Sequence, residues 1–432
     1  MVDMMKEEIK LYPHQKAVLE NTKHLNKVGY ILDMGLGKTF VASEKLNDLK
    51  AKLNLIVCQK SQVDYWCEHM KKYYDFIVYD LTNKKDYELF THLGTSDNRI
   101  VAVINYDLIW RRTELLKLKD FTLLLDESSL IQNETSKRAK FILKLKPVNV
   151  ILSTGTIVGG KYEKAWSQMR LLGWDISKKL YWNQFVRTRK LSHLGRAVNI
   201  VIGYKNVERL KAKMREYGCQ FLTTEEVFDL PQQLFTKISV TRTKDYERFK
   251  KHKIIIKNDI TFVGDTALTN MLYQRVLCGA FNDYKKQAFE DIISSTSKRV
   301  IVFYNFNDEL RTIEDVCVKL NKPLSIVNGS HKDLSMYEEC DDSITAIQYQ
   351  AGAMGLNLQK ANTIIYYTPT LSSELYEQSK KRIHRIGQTK TCFYYNLIVK
   401  GSIEEKIYKV LDQRKDFTER LFENGQWKNL WE

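Results

Sequence analysis

Scarcity narrows this chain first. Its 432 residues hold only five prolines and seven cysteines. The cysteines, at positions 58, 67, 219, 278, 317, 340 and 392, form no CxxC pair and mostly sit between apolar or aromatic neighbours. Neither a disulfide framework nor a zinc cluster is therefore expected, and reduced, buried thiols are. The eight histidines show no HxxxH or HxxE spacing, so none is a candidate metal ligand or general base. No stretch approaches the roughly 18 uninterrupted apolar residues of a membrane span. The start, Met1 to Tyr12, alternates charge with single apolar residues where a signal peptide would build an apolar core. Low-complexity segments and repeats of solenoid period are also missing. A soluble, cytoplasmic protein is expected, and with 44% apolar residues most of it is folded.

What is present in excess is positive charge. Lysine and arginine number 68 against 52 aspartates and glutamates, a net charge of +16. Such an excess suits a polyanionic partner, because clustered cations displace the counterions of nucleic acid. The basic residues form no tail. They are spread along the chain, with denser stretches at 178–196 and 244–257, which suggests a broad binding face. In the first stretch Tyr181, Trp182 and Phe185 interleave with the cations. That pattern suits a groove that stacks bases, and equally a packed helix with a wet basic side. The second stretch reads as a solvated helix face.

Short β-branched runs alternate with amphipathic segments, at 30–33, 55–58, 100–104, 123–126 and 150–153, then again at 300–304, 324–327, 345–349, 363–367 and 393–399. Two sets of this kind read as two α/β domains, each a parallel sheet wound with helices. Between them, over 157–298, the strand signal fades and helical spacing dominates. Pro231 marks a linker near 227–232. The expected domains are residues 1–228, with a helical insertion at about 157–225, and 229–432, with one at about 240–298.

A phosphate site follows the first apolar run. Residues 30–33 read as a strand, Met34-Gly35-Leu36-Gly37-Lys38-Thr39 as a loop, and 40–49 as a helix. Glycines let backbone N–H groups wrap an anion, Lys38 reaches the β- and γ-phosphates, and Thr39 can ligate Mg²⁺. This is the second half of a P-loop, with Leu32 where the strict pattern has its first glycine. Leu123-Leu124-Leu125-Asp126-Glu127 completes the set. An apolar strand ending in two carboxylates supplies Asp126 to hold Mg²⁺ and Glu127 to orient or deprotonate the attacking water.

With these motifs in place the chain resembles the Swi/Snf-like branch of superfamily-two helicases, a family of DNA translocases, over nearly its whole length. Leu11-Tyr12-Pro13-His14-Gln15 looks like the Q motif, residues 33–39 like motif I, 57–66 like Ia, 103–106 like Ib, and Asp126-Glu127-Ser128-Ser129 like motif II. Ser153-Thr154-Gly155-Thr156 resembles motif III, residues 299–305 motif IV, 350–358 motif V, 378–388 motif VI, and 402–407 the segment that follows it. The run His384-Arg385-Ile386-Gly387-Gln388 is the most specific of these signals. There are departures: Ser128-Ser129 stand where Ala-His is common, Ile157 where Pro is usual, and Tyr349-Gln350 where motif V has Thr and Arg. The chain ends about forty residues after Gln388, so no targeting module is expected beyond the second lobe.

The resemblance implies two RecA-like P-loop NTPase lobes of α/β class with ATP and Mg²⁺ as cofactors. Tyr12, Gln15, Met34, Gly35, Leu36, Gly37, Lys38, Thr39, Gly355 and Gln378 would bind nucleotide, and Thr39 and Asp126 the metal. Lys38, Asp126, Glu127, Arg382 and Arg385 would carry catalysis. Three residues apart, the two arginines would share one helical face and reach the γ-phosphate held by the other lobe. The expected activity is that of an ATP-dependent double-stranded DNA translocase, acting as a monomer on DNA, bacterial or phage-encoded, with room for an unidentified protein partner. Its rivals are a strand-unwinding helicase on DNA or RNA and a nucleotide-gated clamp with little turnover. No segment resembles a strand-separating pin.

Overall fold

The computed structural model describes residues 6–33, 35–93, 98–155, 162–193, 196–224, 226–257, 260–352 and 356–422. Met34 and Gly355, both expected at the nucleotide site, lie outside them. The chain divides into two compact units, the first reaching Val227 and the second running from Phe228 to Asp416.

The first unit carries nine strands: β1 (Lys27–Leu32), β2 (Leu53–Cys58), β3 (Ile77–Asp80), β4 (Ile100–Asn105), β5 (Phe121–Asp126), β6 (Asn149–Thr154), β7 (Val186–His193), β8 (Arg196–Tyr204) and β9 (Cys219–Leu222). Seven of them form one sheet in the order β3-β4-β2-β5-β6-β1-β9, parallel throughout. The central strands are buried almost end to end. Their continuous Leu, Ile and Val runs are what a sheet covered by helices on both faces requires. The helix Val63–Tyr73 shows the matching pattern, burying Val63, Trp66, Cys67 and Met70 on one stripe. Gly218 makes the turn into β9 with a φ of +83°, and a Cβ there would press on the Lys27 carbonyl.

The second unit carries β10 (Gln233–Val240), β11 (Ile254–Lys257), β12 (Ile260–Val263), β13 (Val300–Tyr304), β14 (Leu324–Val327), β15 (Ile344–Gln348), β16 (Thr363–Tyr366) and β17 (Cys392–Val399). Six form a second parallel sheet, β10-β17-β16-β13-β15-β14. Strand β13 sends Ile301 and Phe303 into one core and Val300, Val302 and Tyr304 into another. Both faces of this sheet are therefore covered.

The two wound sheets agree with the sequence reading, while the two helical insertions need correction. Strands β7 to β12 all lie within 157–298. β7 and β8 form a separate antiparallel ribbon, β11 and β12 another, β9 joins the first sheet and β10 the second. The physical reason is that β9, β11 and β12 span only four residues each, too few to show a period. Six of the seven cysteines are buried and all are free thiols. Burial pushes the Cys219 thiol up to about 12, which keeps it protonated and inert. Among the described residues no helix is long and apolar enough to cross a membrane.

One buried ion pair braces the second unit. Lys285 Nζ donates to both Glu404 oxygens at 2.6 and 2.8 Å and to the Tyr367 carbonyl at 3.0 Å. The two side chains are 0% and 1% exposed, and Glu404 also accepts the Val399 N–H at 2.9 Å. Glu404→Ala strands an ammonium in the core and should cost about 3–5 kcal/mol, whereas the double variant Lys285→Met/Glu404→Leu should lose much less. Urea unfolding of the three proteins checks this, and equal losses for single and double variants would mean the pair is not what is being broken.

Candidate functional site

The parallel sheet brings the carboxyl ends of β1, β5 and β6 to one edge, with β6 between the other two. The loop after β1 turns through Gly35 (φ +89°) and Gly37 (φ +72°) into the helix Lys38–Asp48. Both glycines occupy left-handed backbone that a side chain would strain. Two residues of the helix Pro13–Asn21 hold the loop from outside: Gln15 Nε2 donates to the Leu36 carbonyl at 3.1 Å, and His14 Nε2 bonds the same oxygen at 3.1 Å. A Cβ at Gly37 would collide with the Gln15 amide. Gln15 Oε1 in turn accepts the Tyr12 N–H at 2.9 Å.

Gln15 is thus buried with both ends of its amide engaged, and in this structure it serves the loop. Tyr12, by contrast, is 53% exposed, its ring stacked on His14, and offers an aromatic surface beside the loop. Lys38 Nζ folds back onto the carbonyls of Leu32 (3.1 Å) and Asp33 (3.3 Å). A Cβ at Gly155, just past β6, would lie 3.6 Å from that amine. The amine therefore sits where β1 and β6 end.

Asp126 and Glu127 end β5 in different environments. Asp126 Oδ2 accepts the Trp66 Nε1–H at 2.9 Å. Removal from water pushes its carboxyl up to about 6, with Glu127 adding to the rise while Trp66 and Lys38 oppose it. Glu127 takes the left-handed backbone region, φ +56°, an uncommon conformation for a residue with a Cβ. Its Oε1 accepts from Thr154 Oγ1 at 2.6 Å and from Ser129 Oγ at 2.9 Å. Tyr106 OH donates to the Asp126 carbonyl at 3.0 Å from beneath. The residues resembling motifs Ia, Ib, II and III are thereby joined through side chains, and Ser129, which stands where the family commonly has His, supplies one of the links. Among the described residues no group of three His, Cys, Asp or Glu could hold a metal. The donor set Thr39 and Asp126 fits Mg²⁺ only in company with phosphate oxygens and water, the usual mode for that ion.

In the second unit the expected arginine pair separates. The helix Ser373–Lys380 ends before both arginines, and residues 381–387 are turns closed by Gly387 at φ +93°. The two arginines therefore do not share one helical face. Arg382 is 3% exposed, within 3.5 Å of the Leu356 carbonyl. Arg385 is half-buried, meets no carboxylate among the described residues, and is held somewhat below the usual guanidinium range by desolvation. Gln388 lies within hydrogen-bond reach of the carbonyls of Gln359, Ala361 and Ile383, and His384 bonds Pro231 O. These two are framework residues. Gln378 bonds Glu374 Oε1 at 3.4 Å on the same helix.

The sequence reading did not assign roles to Trp66, Tyr106, His14, Ser129 or Thr154. All lie inside the quoted motifs, but a motif names positions without naming partners.

Comparison with known proteins gives two matching family models, the SNF2-related domain over residues 14–285 and the helicase conserved C-terminal domain over 284–387. The first extends beyond Val227 into the second compact unit. A human SWI/SNF-related matrix-associated actin-dependent regulator of chromatin, subfamily A member 1, is 22% identical over 87% of this chain and 40% of its own length. The ISWI chromatin-remodeling complex ATPase ISW2 of Saccharomyces cerevisiae is 23% identical over 94% and 40%. An ATP-dependent helicase of Mycoplasma pneumoniae is 25% identical over 91% and 40%. The chain thus spans about two fifths of the length of these relatives. A solved structure, the Sulfolobus solfataricus SWI2/SNF2 ATPase core in complex with dsDNA, is similar at 20% identity over all of this chain and 97% of that one, with a TM-score of 0.47.

The raised Asp126 carboxyl has a consequence for stability. Its pKa in the folded chain exceeds the unfolded value of 3.8, so its favourable contribution is complete below about pH 4 and lost as pH rises through about 6. The rise from 3.8 to about 6 corresponds to roughly 3 kcal/mol, of which solvent screening at a half-buried group leaves about 1–2. Asp126→Asn should therefore stabilise the chelator-treated protein at pH 8 and leave it unchanged at pH 4. Thermal unfolding at the two values is the measurement, and an equal shift at both would mean the carboxyl does not titrate as stated.

Proposed function

The chain belongs to the SNF2-related family, and on that premise we propose that it is an ATP-driven motor that moves along double-stranded DNA. We further propose that residues 1–228 form the ATP-binding lobe and 229–432 the helicase C-terminal lobe. The protein would act in the cytoplasm, as a monomer on DNA, encoded by a bacterium or a phage.

The observation that carries the reading is the Glu127 carboxylate, whose Oε1 is fixed by Thr154 and Ser129 at the strand edge where Lys38 also lies. Among the described residues only Oε1 is engaged. That leaves Oε2 to orient a water and take its proton, the task of such a carboxylate in phosphoryl transfer. Thr154 belongs to the stretch resembling the coupling motif. Any change in the β6 end is therefore felt at the catalytic carboxylate, which is how nucleotide state and movement can be linked. Lys38 would leave its two carbonyls for the β- and γ-phosphates, and Tyr12 would stack on the base. Thr39 and Asp126 would hold Mg²⁺, which when bound neutralises phosphate charge. Arg385, desolvated and without a carboxylate partner, is the better candidate for the arginine that stabilises transition-state charge. Arg382, deep in its own unit, fits a positioning role.

A clamp that barely turns over has little use for a fixed Glu127 and an uncompensated Arg385. ATP hydrolysis should be slow alone and strongly stimulated by duplex DNA, less by single strands or RNA. Lys38→Ala and Glu127→Gln should abolish it. Arg385→Ala should leave ATP affinity and melting temperature near wild type while turnover falls by about 10³-fold or more. Steady-state ATPase assays on the three nucleic acids check the set, and wild-type turnover in Glu127→Gln would remove the catalytic assignment.

A further inference from the structure

The basic stretch 178–196 divides in the structure. Tyr181 and Phe185 are buried against Trp174 in the core of the first unit, so these rings are not available to stack on bases. The cations that follow them run out along β7. Among the described residues strands β7 and β8 pair only with each other, forming an antiparallel ribbon outside the two sheets. At about 3.3 Å per residue its eight-residue strand reaches roughly 26 Å.

The ribbon is stiff at its base. Val186 is buried and pairs with Tyr204. Tyr204 OH donates to Glu163 Oε2 at 2.5 Å, and its ring meets Tyr162 edge to face at 5.2 Å. Asn206 Nδ2 bonds the Gln184 carbonyl at 2.9 Å, and the Lys205 N–H bonds Phe185 O at 3.0 Å. Above that base, Arg187 pairs with Gly203 and Thr188 with Val201, leaving Ile202 as an extra residue, 63% exposed. A bulge of this kind bends the strand and re-aims the side chains beyond it. Arg187, Arg189 and Lys190 are all exposed, and none meets a carboxylate among the described residues. Alternation along the strand sends Arg187 and Arg189 from one face and Lys190 from the other.

We propose that this ribbon is an arm that grips double-stranded DNA, with Arg187, Arg189 and Lys190 on backbone phosphates; this rests on the motor reading above. A two-stranded ribbon is one of the two elements that the major groove of B-DNA, about 12 Å wide, admits. Cations leaving both faces would meet the two phosphate rows that border such a groove. Three side chains without carboxylate partners in four residues repel one another until an anion arrives, so the arm favours a partner of dense negative charge. Phosphate contacts hold without reading sequence, which suits a protein that must travel over any sequence.

The test is binding of the full chain to a blunt duplex of about 30 base pairs, followed by fluorescence anisotropy across a salt titration. It compares wild type, Arg187→Ala/Arg189→Ala/Lys190→Ala and the charge-keeping Arg187→Lys/Arg189→Lys/Lys190→Arg. At about 0.9 per lost phosphate contact, the alanine variant's log–log salt slope should be shallower by about 2–3. Its melting temperature and its DNA-free ATP affinity should stay at wild-type values, and the charge-keeping variant should retain the wild-type slope. An alanine variant with unchanged slope and affinity overturns the arm alone. A charge-keeping variant that loses as much as the alanine one overturns it too. Wild-type protein that binds no duplex overturns the motor reading and the arm together.

Discussion

In a parallel sheet every strand delivers its carboxyl end to the same edge, so the segments after β1, β5 and β6 are forced together however far apart they lie in sequence. Lys38, Glu127 and Thr154 are neighbours for that reason. The other features of the site adapt to the crowding. Two glycines give the loop its left-handed turns, Gln15 and His14 hold its Leu36 carbonyl, and Glu127 accepts a strained backbone so that its carboxylate reaches two hydroxyls. Asp126 carries the cost of the same arrangement, since a carboxyl drawn out of water with one indole donor holds its proton more tightly than a solvated one. A metal with bound phosphate would relieve both the desolvation and the repulsion by Glu127.

The sequence made this edge legible because each of its chemical groups comes from a short motif joined to a long apolar run. Continuous Leu and Ile stretches mark buried parallel strands, and Gly-Lys-Thr or Asp-Glu at their ends marks the site. Partners were not legible in the same way. Nothing in the spacing of Trp66 or Tyr106 says that an indole N–H meets Asp126 or that a phenol supports the following turn. Those are consequences of how Val63–Tyr73 and β4 pack. The ribbon of β7 and β8 was hidden too: it lies outside the sheets, and the cation-rich β7 carries no apolar period to set it apart from a wet helix.

The second unit shows the same division between motif and partner. Within His384–Gln388 the residue spacing was clear, yet the chain there is a run of turns. His384 and Gln388 spend their side chains on backbone carbonyls and so shape the turn that carries Arg385. Arg382 packs inward while Arg385 keeps a half-buried position with no counter-charge among the described residues. A framework of this sort is costly unless the half-buried arginine has work to do. The buried pair Lys285–Glu404, which ties the segment after the motif to the sheet, is the same economy applied to stability. The ribbon of β7 and β8 would add a site of action outside the ATP chemistry, since its three exposed cations meet no carboxylate among the described residues.

Displacement of a third strand from a triplex reports movement along an intact duplex without requiring the duplex to open. The wild-type chain should remove a triplex-forming strand only with hydrolysable ATP, Glu127→Gln should not, and the underlying duplex should stay paired. A protein that opens a forked duplex with ATP while leaving the triplex in place would contradict it.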